Sequence, residues 1–267
     1  MELSLANPVL WLLVLALLAG PATAGIGWVR PTLAAPTGAI LAAASLLAAL
    51  WGWLGDPEPI DLRWVPEWGL RLSFELDGLA ALYALLATGI GLAAVAYAGA
   101  YLPRHLHHER RPPREATRLY AWLLCFMGAM VGLVLAQDLI LIFIFWDLTA
   151  IASYFLIGYD RQKAEARSAA LMALLVTGIS AVLLLIGILM LFVRYETASL
   201  PELIGRVEPG GYLLGAGALI LVGSLAKSAQ VPLHFWLPRA MAPPIPIEMS
   251  PTASRPSSRR SSRISRG

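Results

Sequence analysis

Long apolar runs separated by short polar segments make up most of this chain. The runs lie at residues 3–21, 32–54, 77–101, 119–136, 139–159 and 168–192, and a last run begins at residue 212. A helix of about 20 apolar residues crosses the ~30 Å hydrocarbon core of a bilayer, and most of these runs approach or exceed that length. The pattern therefore predicts an all-α, polytopic membrane protein with about seven transmembrane helices.

The first run also has features of a secretory signal peptide. Its apolar core, Pro8 to Leu18, is followed by GPATAG, in which Ala-Thr-Ala would precede a cleavage point. A signal peptide begins with a positively charged segment, whereas this chain begins with Glu2 and has no Lys or Arg before the run. We therefore expect a retained first helix over residues 3–21.

Two polar connections have a recognisable local pattern. The alternation in LRLSFEL (70–76) predicts a short strand or hairpin at the membrane interface. Asp77 and Gly78 follow, and Asp77 is a typical N-cap for the third helix. Only Gln137 and Asp138 separate the fourth and fifth runs, which therefore form a tight antiparallel pair.

Composition agrees with a membrane protein. Of 267 residues, 58% are hydrophobic and 14% are charged, with a mean hydropathy of +0.69. Soluble domains carry about 25% charged residues. The net charge of +3 comes from two loops and the C-terminal tail, so it does not indicate nucleic-acid binding. The single cysteine, Cys125, excludes a disulfide within the chain.

The basic loops predict an orientation. Lys and Arg concentrate in residues 102–118 and 159–167, and cytoplasmic loops carry such an excess. The N-terminus is then outside, and the 102–118 loop and the tail are cytoplasmic. The 102–118 loop also contains His105, His107 and His108. No second ligand cluster has a matching spacing, so we interpret it as a solvated loop and expect no metal site.

Asp147 is the one charge near the middle of the fifth run, LILIFIFWDLTAIASYFLIGY. An acidic residue at this depth costs about 2.5–3.5 kcal/mol on insertion scales and usually serves a function. The alternative is a carboxylate that neighbouring helices satisfy and that serves assembly alone. The residue type and its depth favour the functional interpretation.

Lys227 is a second charge at membrane depth, in the run that begins at residue 212. Pro232 and Pro238 follow it and predict a broken helix, because proline lacks a backbone donor. Such a break is tolerated at membrane depth where it lines a hydrated cavity. A lysine can release its proton there, whereas an arginine cannot. The alternative is a lysine whose ammonium snorkels to the interface.

Asp147 and Lys227 suit each other as partners. Two buried charges of opposite sign cost less when they are paired. Moving Asp147 away from Lys227 would favour release of the lysine proton, as in a proton relay. His234 lies between the two prolines, next to Phe235 and Trp236.

Four segments of the chain resemble a known family. They are residues 72–102, residues 128–159 with FWDLTAIASYFLIGY, residues 166–191, and residues 224–247 with AKSAQVPLHFWLPRAM. Over about residues 60–247 the sequence resembles the antiporter-like membrane subunits shared by Mrp-type cation/proton antiporters and the membrane arm of respiratory complex I. The likeness is greater to the large A subunit of the Mrp type. The resemblance implies part of an inverted-repeat antiporter fold with a broken seventh helix.

The resemblance also implies roles for individual residues. The family has a proton-channel glutamate at the position of Asp147 and a lysine on the broken helix at the position of Lys227. It therefore implies an ion pair between these two residues, and it makes His234 a candidate in the proton path. Aspartate is one methylene shorter than glutamate, which weakens the contact with Lys227 unless the helices close up or water bridges the gap.

The function implied is that of a proton-translocating subunit, or a fragment of one, in a multisubunit sodium/proton antiporter of the cell membrane. Such a chain is a secondary transporter rather than an enzyme. Its partners would be other antiporter subunits, protons, sodium and lipid, without nucleic acid. We expect no cofactor, since no flavin, quinone or cluster motif is present.

The resemblance divides the chain into three parts. Residues 1–110 would hold the first three helices, and residues 111–248 an incomplete first proton-channel repeat with the fourth to seventh helices. Residues 249–267 form an Arg/Ser-rich tail that is disordered by composition. We interpret this tail as a sign of a truncated or frameshifted N-terminal portion. The alternative is a tail that binds anionic lipids.

Two other functions stay open at this point. A complex I or hydrogenase membrane-arm subunit would use the same relay but couple it to redox chemistry in other chains. A non-transporting membrane scaffold is favoured by the missing second repeat. The genes that neighbour this one distinguish the first alternative, and proton flux in liposomes distinguishes the second.

Overall fold

Six helices are long and apolar enough to cross a membrane in the computed structural model, which describes residues 6–55, 57–65, 70–108 and 110–241. Their bounds are α1 Pro8–Val29, α2 Ala34–Gly55, α3 Gly78–His108, α4 Arg114–Leu135, α5 Leu139–Ile157 and α6 Ala164–Tyr195. A single 3-10 turn, Pro31–Leu33, precedes α2. The predicted all-α polytopic membrane protein is confirmed.

The last predicted run is divided into shorter helices. After α7 (Leu200–Arg206), the apolar helix α8 covers Gly211–Lys227, and α9 covers Trp236–Met241. Helix α8 has 17 residues. At 1.5 Å per residue that is about 25 Å, which is shorter than the ~30 Å hydrocarbon core. The seventh element is therefore a short helix, a break and a second helical segment.

The predicted end of the first helix at residue 21 is wrong, since α1 continues to Val29 with Pro21 inside it. Its small residues pack closely on α4, and a Cβ added at Gly20 would lie 2.9 Å from the carbonyl oxygen of Ala121. This packing outweighs the weak helix propensity of GPATAG. Residues 1–5, where the prediction began, lie outside the described residues.

The predicted end of the third helix at residue 101 is also wrong, because α3 continues to His108. Much of the expected 102–118 loop is therefore helical. Leu102 and Leu106 are buried against Tyr120 of α4, which keeps the helix intact past Pro103. The predicted tail, residues 249–267, lies outside the described residues.

The predicted hairpin is confirmed. Strands β1 (Ile60–Val65) and β2 (Leu70–Phe74) pair antiparallel. The amide of Gln137 donates to the carbonyl oxygen of Ser73 at 2.9 Å, which ties β2 to the connection between α4 and α5. The amide of Leu139 donates to the carbonyl oxygen of Ala198 at 2.8 Å. These bonds fix the start of α5 to its surroundings.

The packing of the helices connects α4, through α5 and α6, with α8 and the helix break that follows it. Helix α4 contacts α1, α3 and α5, while α5 packs on α6 and α6 packs on α8. The fully buried side chains Leu12, Leu124, Val131 and Leu135 hold α1 and α4 together. The α5–α6–α8 part of the bundle carries Asp147 and Lys227.

Candidate functional site

Asp138 sets where α5 begins. Its Oδ1 accepts hydrogen bonds from the amides of Ile140 at 2.8 Å and Leu141 at 3.3 Å. Burial raises the pKa of this carboxyl above its ordinary value, and the backbone donors partly oppose that effect. From this N-cap, nine residues of helix place Asp147 about 14 Å further along the axis.

Two glycines set how closely α8 approaches α6. A Cβ added at Gly187 would lie 2.7 Å from the carbonyl oxygen of Ala216, and one added at Gly223 would lie 2.7 Å from that of Ser180. Side chains other than hydrogen would therefore push the two helices apart. Lys227 lies one helical turn after Gly223, so this contact also sets the position of its ammonium.

The ammonium of Lys227 docks on α5. It donates to the carbonyl oxygen of Trp146 and to Thr149 Oγ1, and it lies 4.5 Å from the centroid of the Trp146 ring. Thr149 Oγ1 donates its own proton to the Trp146 carbonyl oxygen at 2.7 Å. The hydroxyl therefore has its lone pairs free to accept from the lysine. Both acceptors of Lys227 are neutral.

Asp147 lies beside these acceptors on the same helix. It is half-buried, and its carboxylate is within electrostatic range of the Lys227 ammonium. Within the described ranges, the Asp147 carboxylate has no hydrogen bond and no direct ion pair with Lys227. The structure brings the two predicted residues into one site without direct contact.

The helix break directly follows Lys227. Ala229 has a φ of 52°, and the amide of Gln230 donates to the carbonyl oxygen of Leu225 at 3.0 Å. The indole of Trp236 donates to the carbonyl oxygen of Ala226 at 3.1 Å, so a side chain from beyond the break partly satisfies α8. The break turns the chain without leaving this carbonyl unpaired.

The two predicted prolines lie in different places. Pro232 lies within the break, before the 3-10 turn Leu233–Phe235. Pro238 lies in the first turn of α9, where a helix needs no backbone donor. The residues around Pro232 therefore interrupt the helix, whereas α9 accommodates Pro238.

His234 lies in the 3-10 turn between α8 and α9, and its side chain is exposed. The structure gives it no hydrogen bond to Lys227 or Asp147. His105, a member of the other histidine group, stacks on Tyr101 with ring centroids 5.4 Å apart. Over the described ranges, no group of three or more His, Cys, Asp and Glu residues is placed to hold a metal ion.

Sequence reasoning identified Asp147 and Lys227 but missed Trp146 and Thr149 as partners of Lys227. Their spacing was the available signal, because residues three apart share one face of a helix. A second missed feature is the indole N–H of Trp146, which is buried and has no acceptor within the described part of the chain. The site therefore keeps hydrogen-bonding capacity next to the lysine.

Comparison with known sequences places this site in a matched region. Residues 136–251, which include Asp147 and Lys227, match the family described as NADH:quinone oxidoreductase/Mrp antiporter, TM. The A/B subunit of a probable K(+)/H(+) antiporter from Rhizobium meliloti is 38% identical over 198 residues, covering 70% of this chain and 18% of that protein. The A1 subunit of a Na(+)/H(+) antiporter from Staphylococcus haemolyticus is 36% identical over 189 residues, covering 70% of this chain and 22% of that protein. The chain thus spans about a fifth of the length of these relatives.

Solved structures share the arrangement of helices. A chain of the Mrp complex from Dietzia sp. DQ12-45-1b superposes with a TM-score of 0.67 at 29% identity, covering 86% of this chain and 25% of that one. A chain of an archaeal membrane-bound sulfane sulfur reductase superposes with a TM-score of 0.71 at 20% identity, covering 87% of this chain and 47% of that one. The second likeness shows the fold alone. The predicted resemblance to the antiporter-like subunits and their fold is confirmed.

Proposed function

We propose that this chain, which belongs to the antiporter-like membrane subunits of Mrp antiporters and NADH:quinone oxidoreductases, forms a proton-translocating part of a monovalent cation/proton antiporter. One observation carries the proposal: the Lys227 ammonium reaches across from α8 to α5 beside the Asp147 carboxylate. The activity is transport coupled to an ion gradient, without covalent chemistry. Other members of the same multisubunit complex are the expected partners.

The relay depends on two sets of partners for Lys227. One set is neutral, the Trp146 carbonyl and the Thr149 hydroxyl, and the other is the charged Asp147 carboxylate. An ammonium that moves onto Asp147 gains a direct ion pair, which favours its protonated form. When it returns to neutral acceptors, that charge compensation weakens and the proton leaves more readily. Alternation between the two sets loads and unloads one proton.

His234 is the proposed next group in the path. It lies just beyond the break that follows Lys227, and an imidazole accepts and donates protons near neutral pH. Its exposed side chain does not touch Lys227, so transfer between them requires water. Water is compatible with the break, because irregular backbone at membrane depth is tolerated where it lines a hydrated cavity.

The proposed orientation places the N-terminus outside the cell membrane and the connection between α3 and α4 in the cytoplasm. Basic residues concentrate at the α3–α4 and α5–α6 connections, and cytoplasmic loops carry such an excess. On this orientation α5 runs inward, from Asp138 near the outer face towards the α5–α6 connection. Asp147 then lies between the two faces.

We propose sodium as the coupled cation to test first. The two relatives differ here, since one is named for K(+) and the other for Na(+). Parallel assays with sodium and potassium therefore belong in every transport measurement. A response to one of them alone assigns the cation.

The decisive experiment is Asp147→Asn in the complete protein, assembled with the other members of its complex. Cation-dependent proton exchange is measured in everted membrane vesicles by the recovery of a pH-sensitive dye. We expect exchange to fall to background, because Asn keeps the shape of the side chain but cannot compensate the Lys227 charge. Unchanged exchange in Asp147→Asn would contradict the proposed relay.

Asp147→Glu is the matched control for this experiment. It keeps the charge and adds the methylene by which aspartate is shorter. We expect it to retain exchange, since the longer carboxylate reaches further towards Lys227. Loss of exchange in both variants, with normal assembly, would mean that the site tolerates no change of shape and that charge is not the reason for the loss.

A redox-coupled membrane arm is the second candidate. The superposition on the sulfane sulfur reductase complex supports it at the level of fold. Genes for hydrogenase or NADH-oxidising proteins beside this one would favour it over an antiporter. A scaffold without transport is tested in liposomes, where proton flux through the purified protein would exclude it.

A further inference from the structure

A cavity of about 470 Å³ lies between α1 and α4, far along the chain from the Lys227 site. Small residues of α1 line one side, and residues of the first three turns of α4 line the other. The wall includes Gly20, Pro21, Ala24, Gly27, Ala121 and Cys125. Pockets of 300–1,000 Å³ typically hold small molecules, and this lining is almost wholly apolar.

The mouth of the cavity is positively charged. Arg114 and Arg118 stand one turn apart on α4 at the rim, and both side chains are exposed. Glu115 also lies at the rim, but it is paired with Arg111. Neither Arg114 nor Arg118 has an ion pair with another described residue. The N-terminus of α4 adds positive potential at the same place.

Two tryptophans indicate where the cavity lies relative to the lipid headgroups. Trp28 lies under the Arg114 guanidinium, which is 5.3 Å from its ring centroid, and Trp122 stacks on Phe155 with centroids 4.0 Å apart. Both tryptophans line the cavity. Tryptophan is enriched at the level of lipid headgroups. The apolar wall therefore faces acyl chains, and the arginines face headgroups.

We propose that this cavity binds one anionic phospholipid, with part of an acyl chain between α1 and α4 and its phosphate between Arg114 and Arg118. The apolar wall alone would accept any lipid. The two arginines select for negative charge, because no cationic headgroup neutralises the phosphate of an anionic lipid. This lipid site does not involve Asp147 or Lys227. The proposal is therefore independent of the proposed proton relay.

The first test measures headgroup preference. Purified protein in detergent is titrated with phosphatidylglycerol, phosphatidylcholine or inorganic phosphate, and bound lipid is counted by native mass spectrometry. We expect phosphatidylglycerol to bind about thirtyfold more tightly than phosphatidylcholine, from two basic side chains near the surface. Inorganic phosphate should not displace it. Equal binding of the two lipids, or displacement by phosphate, overturns the proposal.

The arginines are tested by Arg114→Gln combined with Arg118→Gln, which should reduce phosphatidylglycerol binding to the level of phosphatidylcholine. The matched control is Arg161→Gln with Arg167→Gln, a basic pair at the α5–α6 connection outside this cavity. That control should keep the preference. A preference that survives the first pair, or that disappears only in the control, contradicts the assignment.

The acyl-chain part is tested by filling the cavity. Ala24→Leu places a larger side chain on its wall, and Ala100→Leu is the control on the exposed face of α3. Ala24→Leu should lower retention of both lipids about tenfold or more, while Ala100→Leu leaves it unchanged. Labelling of Cys125, the single cysteine, gives an independent readout, since bound lipid should slow its reaction with an apolar maleimide. Unchanged retention in a folded Ala24→Leu protein refutes the cavity as the site.

Discussion

Two aspartates, one before α5 and one in its middle, have opposite surroundings. Asp138, at the start of the helix, is 1% exposed, and its Oδ1 accepts two backbone hydrogen bonds. Asp147, in the middle, is half-buried, and its carboxylate has no hydrogen bond to any described residue. The more deeply buried carboxylate is the one with backbone donors, although its Oδ2 has no partner among the described residues.

The difference separates an acid that caps a helix from the acid proposed to act in the relay. Burial alone would have favoured Asp138 as the unusual group, yet its backbone partners make it an N-cap. Asp147 has no local backbone donor, because amides inside a helix are already paired. Its proposed partner, Lys227, lies on another helix. The proposed relay uses this difference, since it requires the lysine to alternate between two sets of partners.

The largest effect should come from Lys227→Arg, which tests whether release of the proton matters. Arginine keeps the positive charge and can donate to the same acceptors, but it stays protonated at accessible pH. We expect exchange in membrane vesicles to fall to background while the protein still assembles. Lys163→Arg, at the exposed α5–α6 connection, is the control and should leave exchange unchanged. Exchange near normal in Lys227→Arg would show that the lysine serves only as a fixed charge.

Gly223→Val should have the next largest effect, because it displaces Lys227, the proposed partner of Asp147, without altering a charge. The added side chain would meet the Ser180 carbonyl oxygen, from which even a Cβ would be only 2.7 Å. We expect a cost of about 1–3 kcal/mol in stability, measured by thermal unfolding in detergent, and a loss of exchange.

Gly217→Val is the control for that prediction on the same helix. A Cβ at Gly217 meets nothing within 4 Å, so only the change in helix propensity remains. Equal losses in the two variants would mean that the α6–α8 contact at Gly223 does not position Lys227.

Asp138→Ala should cost about 1 kcal/mol in stability, as expected for loss of an N-cap. Asp138→Asn should cost little, because asparagine caps equally well. Asp147→Asn should lower thermal stability by less than Asp138→Ala, since its carboxylate makes no hydrogen bond or direct ion pair with a described residue. Thermal midpoints of the three variants test the comparison directly. A larger loss of stability in Asp147→Asn than in Asp138→Ala would reverse the assigned roles.

Much of this organisation is predictable from the sequence, because it depends on patterns within one segment. The apolar runs predicted the helices, the alternation near Ser73 predicted the hairpin, and Pro232 predicted the break. The helix ends at Val29 and His108 were not predictable, since packing on α4 carries both helices through Pro21 and Pro103. A propensity within one segment contains no information about such contacts.

The candidate site shows the same limit. Asp147 and Lys227 stand out by residue type and depth, but the acceptors that hold the lysine belong to another helix. Their contact depends on the close approach of α8 to α6 at Gly223, which involves three helices at once. The charged groups can be identified from the sequence. The neutral acceptors that position them can be identified only from the folded structure.

A third aspartate, Asp160, extends the comparison to the other end of α5 and should have the smallest effect. The hydrogen bond from Lys163 holds the pKa of this carboxyl below its ordinary value of 3.8, and burial partly opposes that effect. The folded protein therefore binds the proton more weakly than the unfolded chain. The resulting stability is present above the ordinary pKa and is lost as the pH falls through the lowered one.

Asp160→Asn should therefore lower the stability by less than about 1 kcal/mol near neutral pH, because the pair with Lys163 is partly exposed. The difference from the unchanged protein should close as the pH falls through the lowered pKa of Asp160, because below it both proteins carry a neutral side chain. Thermal midpoints over this pH range measure it. A difference that persists in acid would mean that Asp160 stabilises the connection by shape rather than by charge. Such a result would place it with Asp138 rather than with Asp147.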